Sequence, residues 1–269
     1  MSSSASIRPL RVTHVGPNAT ADAEDQVAVE APLQIRVCDT EVHTVSLTMR
    51  TPGDDADLAV GFLFTEGILR HRHDAANVHL ADNVAEITLR KGLKLDLKRQ
   101  ERHSYTSSSC GVCGKTSLEA LRMDAPPGQR DTLQVSTRFL SGLSLAARER
   151  QAGFLATGGL HASALFGING DHLLIREDVG RHNALDKLIG AAFLAELLPL
   201  SSHVLWLSGR ISFELVQKAA MAGIHIIVAV GAPSTLAVDL AVEHNMTLIG
   251  FLREERFNIY CGAARIRTE

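Results

Sequence analysis

Aromatic side chains are scarce: one Trp, two Tyr and nine Phe make up 4% of the 269 residues. That leaves little on which to stack nucleobases and argues against a single-strand nucleic-acid binder. Charge of either sign is not in excess. Lys and Arg number 27 against 30 Asp and Glu, a net charge of −3, the wrong balance for a surface devoted to phosphate backbones or anionic lipid. No apolar run approaches the ~18 residues that a membrane-spanning helix needs; the candidate Ile224–Val230 has the length of a strand. The opening residues Met1-Ser-Ser-Ser-Ala-Ser lack the apolar stretch of a secretory signal, so a cytoplasmic protein is expected. Cysteines are also few, four in all, as in a reducing compartment. Two of them form the pair Cys110-Gly-Val-Cys113.

What is present is the composition of a globular chain, 45% apolar and 21% charged. A chain of this length buries roughly three quarters of its unfolded surface and needs no disulfide staples. Residues 1–25 lack periodicity and read as a loose arm. From Val27 to Thr48 apolar and polar residues partly alternate, as in half-buried strands of a hairpin. Asp54–Leu69 reads as a helix with Leu58, Phe62 and Leu63 on one face, followed by short strands at Val78–Leu80 and Ala85–Leu89. Residues 91–117 are charged and then Ser-rich, and Ala125-Pro-Pro-Gly-Gln-Arg-Asp131 is the clearest linker signal. It sets the boundary between a small α+β domain (26–130) and a larger domain (131–269).

Beyond Val135 helices and strands alternate regularly. Helices are expected at Leu140–Gln151, Asn183–Leu197, Phe213–Met221 and Thr235–His244. Strands are expected at His161–Phe166, His172–Arg176, Val204–Leu207, Ile224–Val230, Thr247–Leu252 and Asn258–Tyr260. Strands separated by helices of 10–15 residues give a sheet with helical cover on its faces.

The pair Cys110/Cys113 has three chemistries open to it on spacing alone: a zinc half-site, a disulfide redox couple or a sulfur relay. A structural zinc site needs four ligands, and no second Cys-x-x-Cys exists; only Cys38, Cys261 and scattered His could complete one. A thioredoxin-like motif follows a strand, whereas this pair sits in a Ser-rich stretch. A helix at Thr116–Leu121 would hold its N-terminal dipole near the pair and favour thiolate. A zinc deaminase is excluded, because Cys110 follows Ser109 rather than Pro, and His161 leads into Ala162-Ser163 rather than His-x-Glu.

Three polar, Gly-bearing turns stand where strands pass into helices: Glu177–Asn183, Ser208–Ser212 and Gly231–Thr235. Such turns offer free N–H groups to phosphate oxygens, and Arg181 and Arg210 add guanidinium groups. Ordinary capping by Asp178 or Asn183, Ser208 or Ser212, and Ser234 is the competing explanation. Arg253 and Arg256 could flank an anion, or be neutralised by Glu254 and Glu255. His161 and His182 read as hydrogen-bonding histidines first and as acid–base groups second, and Cys38 as a small buried apolar residue.

Ser108-Ser-Cys-Gly-Val-Cys-Gly114, Thr157-Gly-Gly-Leu-His161, Glu177-Asp-Val-Gly-Arg-His-Asn-Ala-Leu-Asp-Lys187, Ser208-Gly-Arg-Ile-Ser-Phe-Glu-Leu-Val-Gln-Lys218 and Thr247-Leu-Ile-Gly-Phe251 occur in that order. Together with Glu30-Ala-Pro-Leu33 and Gly61–Gly67 they make the chain resemble the formate dehydrogenase accessory sulfurtransferase family, FdhD, from about residue 30 to 260. The resemblance implies a cytidine-deaminase-like three-layer α/β/α domain beside a smaller α+β domain, and a homodimer. It implies a sulfur carrier between a cysteine desulfurase and the molybdenum cofactor in its bis-guanine-dinucleotide form, bound as substrate and delivered to formate dehydrogenase. Cys110 would carry the persulfide and Cys113 would be its relay partner. Phe251, Leu252, Arg253, Glu254, Glu255 and Arg256 match the cofactor-binding segment, and Arg210 is a further candidate contact. Neither nucleic acid nor membrane is expected as a partner. Phe213, Leu185 and Ser163 depart from the family's usual Tyr, Val and Ala. The rival readings are a thiol–disulfide oxidoreductase and a non-enzymatic cofactor chaperone for the dehydrogenase.

Overall fold

A computed structural model of the chain describes residues 6–17, 19–94, 133–168, 171–254 and 256–268. The Cys-x-x-Cys segment, the expected helix at 116–121 and the linker at 125–131 therefore lie outside the described residues.

The chain begins with β1 (Ile7–Val15) and β2 (Thr20–Ala28), antiparallel partners from Ile7↔Ala28 to Val15↔Thr20. This corrects the expectation of a loose arm. The ribbon escapes a periodicity search because most of its residues are exposed on both faces, so neither face needs an apolar set.

A four-stranded sheet follows: β3 (Ala31–Cys38), β4 (Val42–Arg50), β5 (Ala75–Ala81) and β6 (Val84–Leu89), in the order β4-β3-β6-β5. Its register obeys the period of two. Leu33, Ile35 and Val37 are fully buried while Gln34 and Arg36 alternate with them on the outer face. Cys38, at the end of β3, is only half-buried and free.

The inner face packs on α1 (Asp55–Thr65). This helix is buried nearly all round, including Leu58, Ala59, Val60, Gly61, Leu63 and Phe64, rather than on the single face that Leu58, Phe62 and Leu63 indicate. It is the middle layer between two units. It ends at Thr65 rather than Leu69, because Gly67 at φ 73° turns the chain back and Ile68 N–H reaches Leu63 O at 2.8 Å.

The second unit opens with β7 (Val135–Ser136), α2 (Thr137–Arg148) and α3 (Ala152–Thr157). Then come β8 (His161–Gly167), β9 (His172–Asp178), α4 (Arg181–Leu194), β10 (His203–Leu207) and α5 (Phe213–Met221). It closes with β11 (Ile226–Ala229), α6 (Thr235–Glu243), β12 (Thr247–Gly250), β13 (Asn258–Cys261) and β14 (Ile266–Arg267). The main sheet runs β13-β12-β11-β10-β8-β9, with β10, β11 and β12 parallel and the other pairs antiparallel. On one face Leu205 and Leu207 join α4, α5, α6 and α1 in a core shared with the smaller sheet. On the other, Val204 and Trp206 meet Leu140, Leu143 and Ala147 of α2. The three-layer α/β/α order is thus present.

The two units meet where α1 crosses α4. A Cβ on Gly61 would fall 1.9 Å from Asp186 O, and one on Gly190 would fall 1.9 Å from Asp57 O, so only glycine admits this approach. Buried polar groups then tie the layers together. Lys218 on α5 holds Asp186 on α4 at 2.8 Å and donates to Thr65 Oγ1 at 2.9 Å. Arg176 on β9 grips Asp57 at the start of α1 at 2.7 Å.

Gly190→Ala is expected to lower stability by about 3 kcal/mol, because backbone rather than a pliable side chain must move. Gly142→Ala, on an exposed turn of α2 with nothing within 4 Å, should leave it unchanged or raise it by up to about 1 kcal/mol; denaturant midpoints separate the two. Lys218→Met strands Asp186 as a buried unpaired carboxylate and should cost about 3–5 kcal/mol in the same assay.

Candidate functional site at the carboxyl edge of the main sheet

Strand direction gathers the candidate residues. Because β10, β11 and β12 are parallel, their C-terminal ends share one edge of the sheet. Two antiparallel steps, β10 to β8 and β8 to β9, bring the start of β8 and the end of β9 to that same edge. His161, the 177–183 turn, the 208–212 turn, the 231–235 turn and the segment after β12 therefore converge, as ligand sites do in open sheets.

Contacts between turns are close. Gly231 N–H donates to Gly209 O at 3.0 Å, and Phe251 N–H donates to Gly231 O at 3.1 Å. A Cβ on Gly231 would lie 2.8 Å from Arg210 N and from Gly209 O, so glycine is required for the 208–212 turn to sit beside it. By this route the structure brings Arg210 next to the 251–256 segment. Arg210, Phe251, Arg253, Glu254 and Arg256 are all exposed.

Phe251 adopts φ 55°, held by its bond to Gly231. Arg253 N–H donates to Arg256 O at 2.8 Å, and its Nη1 donates to Val230 O and Leu252 O at 3.0 and 2.7 Å. Leu252 differs from its neighbours. Its side chain is 1% exposed in the core with Trp206, so it anchors the segment and offers no side-chain contact to a ligand. Glu255, Cys110 and Cys113 lie outside the described residues.

The 177–187 motif spends most of its polar atoms internally, which favours structural bonding over anion binding at several positions. Glu177 accepts from Gly153 N and Phe154 N, both at 2.8 Å, at the start of α3. Asp178, fully buried, accepts from Thr51 N, Gly180 N and Asn183 Nδ2, and pairs with Lys187 at 2.8 Å. Asn183 Nδ2 also donates to Met49 O at 2.8 Å, and Lys187 Nζ to Thr51 O. Ser234 caps α6 by accepting from Ala237 N, and Ser208 Oγ accepts from Ala162 N.

What remains available is narrower. α4 starts at Gly180 with no side-chain cap. Arg181 Nε is buried with no hydrogen-bond partner among the described residues, as is Ser163 Oγ. Ser212 leaves α5 uncapped by its side chain; its Oγ lies 3.1 Å from His182 Nε2, which is also 3.8 Å from Glu214 Oε2. The sequence carries no sign that His182 and Glu214 are partners, although Glu214 stands in the 208–218 motif. The contacts to Met49 and Thr51 left no signal, since their partners lie more than a hundred positions away.

The electrostatics are cationic. The neighbouring His182 imidazole, with help from Ser212, outweighs burial and holds the Glu214 carboxyl at about 2. Burial, then the charges of Arg181 and His182, push His161 below its ordinary 6.5; Arg210 acts in the same direction and Asp178 opposes them. The edge thus joins an uncapped helix start and guanidinium groups, which suit an anionic ligand, to a histidine biased toward neutrality.

Fold and site define an α/β protein whose main sheet gathers an uncapped helix start and several arginines at its carboxyl edge. The chain belongs to the FdhD/NarQ family, whose sequence model matches residues 28–267. It is 45% identical over 268 residues to the sulfur carrier protein FdhD of Streptomyces coelicolor, covering 95% of this chain and 94% of that one. It is also 45% identical to the protein of the same name from Mycobacterium tuberculosis (95% and 97% covered). A third FdhD, from Saccharolobus solfataricus, is 41% identical (90% and 91% covered). In fold it is similar to the crystal structure of a candidate formate dehydrogenase accessory protein from Desulfotalea psychrophila. The TM-score is 0.75 at 22% identity, covering 97% and 99% of the two chains.

Histidine NMR should find His161 titrating below 6.5, and Arg181→Gln should move it upward. The folded protein binds this proton less readily than the unfolded chain does. The stability His161 contributes is therefore complete above about 6.5 and is lost as pH falls toward the lower folded value. His161→Asn should flatten that part of the stability–pH curve.

Proposed function

We propose that the chain is a sulfur carrier serving formate dehydrogenase. It accepts sulfur from a cysteine desulfurase as a persulfide on Cys110. It then passes the sulfur to the molybdenum cofactor in its bis-guanine-dinucleotide form, before insertion into the enzyme. The observation that carries this reading is the match, along 95% of the chain, to proteins named sulfur carrier, in a sequence that holds Cys110-Gly-Val-Cys113. The same reading takes the protein as a cytoplasmic homodimer and a sulfurtransferase.

The Cys110 thiolate attacks the outer sulfur of the donor persulfide. A new S–S bond forms on Cys110, the donor S–S bond breaks, and the donor leaves as a thiolate. For delivery, the Cys113 thiolate attacks Cys110 Sγ. A Cys110–Cys113 disulfide forms and the carried sulfur departs as hydrosulfide, reduced by the two electrons that the cysteine pair gives up. A cellular dithiol then restores the pair. The acceptor carries several phosphates, and the exposed Arg210 and the uncapped start of α4 support binding of such a ligand. Arg253 and Arg256 are further candidates on the same segment. This chain's part is to bind and orient the nucleotide portions while the thiols supply sulfur.

Incubation with a desulfurase and cysteine, followed by mass spectrometric mapping, should find added sulfur on Cys110. Cys110→Ala should abolish both the label and the maturation of formate dehydrogenase in a strain lacking the protein. Label on Cys113 alone or on neither thiol would sink the assignment. Full dehydrogenase activity with Cys110→Ala would instead favour a cofactor chaperone.

A further inference from the structure

Of the Phe, Tyr and Trp side chains among the described residues, only two stand exposed: Phe251, at 43%, and Tyr260, at 37%. Both lie at the carboxyl end of β12. Phe251 follows that strand directly, and Tyr260 reaches the same place from β13, the edge strand paired antiparallel with it. A bulge puts Tyr260 there. Leu248 stands opposite Cys261 and Ile249 opposite Ile259, so Tyr260 is the extra residue between them, with no partner across the ladder. Bulges bend a strand and re-aim one side chain, often beside a functional site.

The ring rests on Gly250. A Cβ at that position would fall 3.0 Å from Tyr260 Cε2, and equally from Pro233 Cδ and Gly231 O, so a side chain at 250 would press on the ring. Gly231 in turn accepts from Phe251 N and lies against Arg210 N. Contacts thus run without a break from the Tyr260 ring, through Gly250 and Gly231, to the turn that carries Arg210. Among the described residues no other aromatic ring stacks on Tyr260 and no cation sits over it.

We propose that the base of the nucleotide ligand stacks on Tyr260, an inference that rests on the sulfur-carrier reading above. Arginines grip the phosphates of any nucleotide, and of bare phosphate, through the same pair of hydrogen bonds. An uncovered ring beside them adds a π-face, and every base can use it. Tyr260 therefore sets the preference for a nucleotide over a bare phosphate, not for guanine over adenine. A second copy of the chain, adding its own strand to the edge of β13, is the competing occupant. It is disfavoured because the bulge at Tyr260 breaks the ladder that an added strand would continue.

The test compares the full-length wild type with Tyr260→Leu, Tyr260→Met and Tyr260→Phe, using guanosine diphosphate, adenosine diphosphate and inorganic pyrophosphate as probes in calorimetric titrations. Leu and Met keep an apolar contact with Gly250 but offer no π-face, so melting curves should match the wild type. Both should bind each nucleotide about tenfold more weakly and pyrophosphate equally well, while Tyr260→Phe binds all three normally. Unchanged nucleotide affinity in the Leu and Met variants overturns the stacking role and leaves the nucleotide ligand standing. Equal losses for nucleotide and pyrophosphate also overturn it, since they mark a disturbed edge. Unchanged nucleotide affinity with an altered mass by light scattering assigns the ring to a second copy instead. A wild type that binds none of the probes removes the nucleotide ligand from the reading above, and this inference with it.

Discussion

Backbone meets backbone where α1 crosses α4, and most of what defines the site follows from that contact. With no Cβ at Gly61 or Gly190, the two helices close to a separation at which Asp186 O and Asp57 O would collide with any side chain. Helices that close exclude water from the crossing, so every polar group there must find a protein partner. Lys218, Asp186 and Thr65 do so on one side, and Arg176 with Asp57 on another. Such buried pairs add little net stability by themselves, since desolvation offsets their attraction, but they are costly to break singly. Their consequence is geometric: they allow one relative placement of the two units.

That placement sets the start of α4. Thr51, between β4 and α1, donates its N–H to Asp178, while its hydroxyl accepts from Val179 N–H. Asp178 in turn holds Gly180, Asn183 and Lys187. The loop that presents Arg181 and His182 is thus built from both units, although all its chemistry-bearing residues belong to the second. His182 then reaches Ser212 and Glu214 at the start of α5, so two helix N-termini are coupled through one imidazole.

The strands and helices of the second unit were legible because each buries a face. Phe213–Met221 was bounded as observed, and Val204–Leu207, Ile224–Val230 and Thr235–His244 were misplaced by a residue or two at their ends. The ribbon β1–β2 was not legible, since a pair of strands exposed on both faces has no hydrophobic period. α3 was missed too: at six residues it is too short for a periodic signal, and two carboxylate bonds from Glu177 hold its first amides. At the site, the Gly-bearing turns and Arg210 were visible as a pattern. Which of their polar atoms stay free was not, because the bonds that consume Asp178, Asn183 and Lys187 come from residues 127 to 136 positions away.

Periodicity, turn chemistry and motif order in the sequence alone determined the α/β class, the succession of elements in the larger unit, and the candidate thiols and arginines. These are local properties, written in spacings of two to eleven residues. Only the tertiary structure decided that Leu252 is an anchor, that most of the 177–187 motif is scaffold, and that His161, Arg181 and His182 share one edge of the sheet. The reason is physical. Whether a polar group is free depends on what lies across the interface from it, and strand direction together with a two-glycine helix crossing selects that neighbour, whatever lies beside it in the chain.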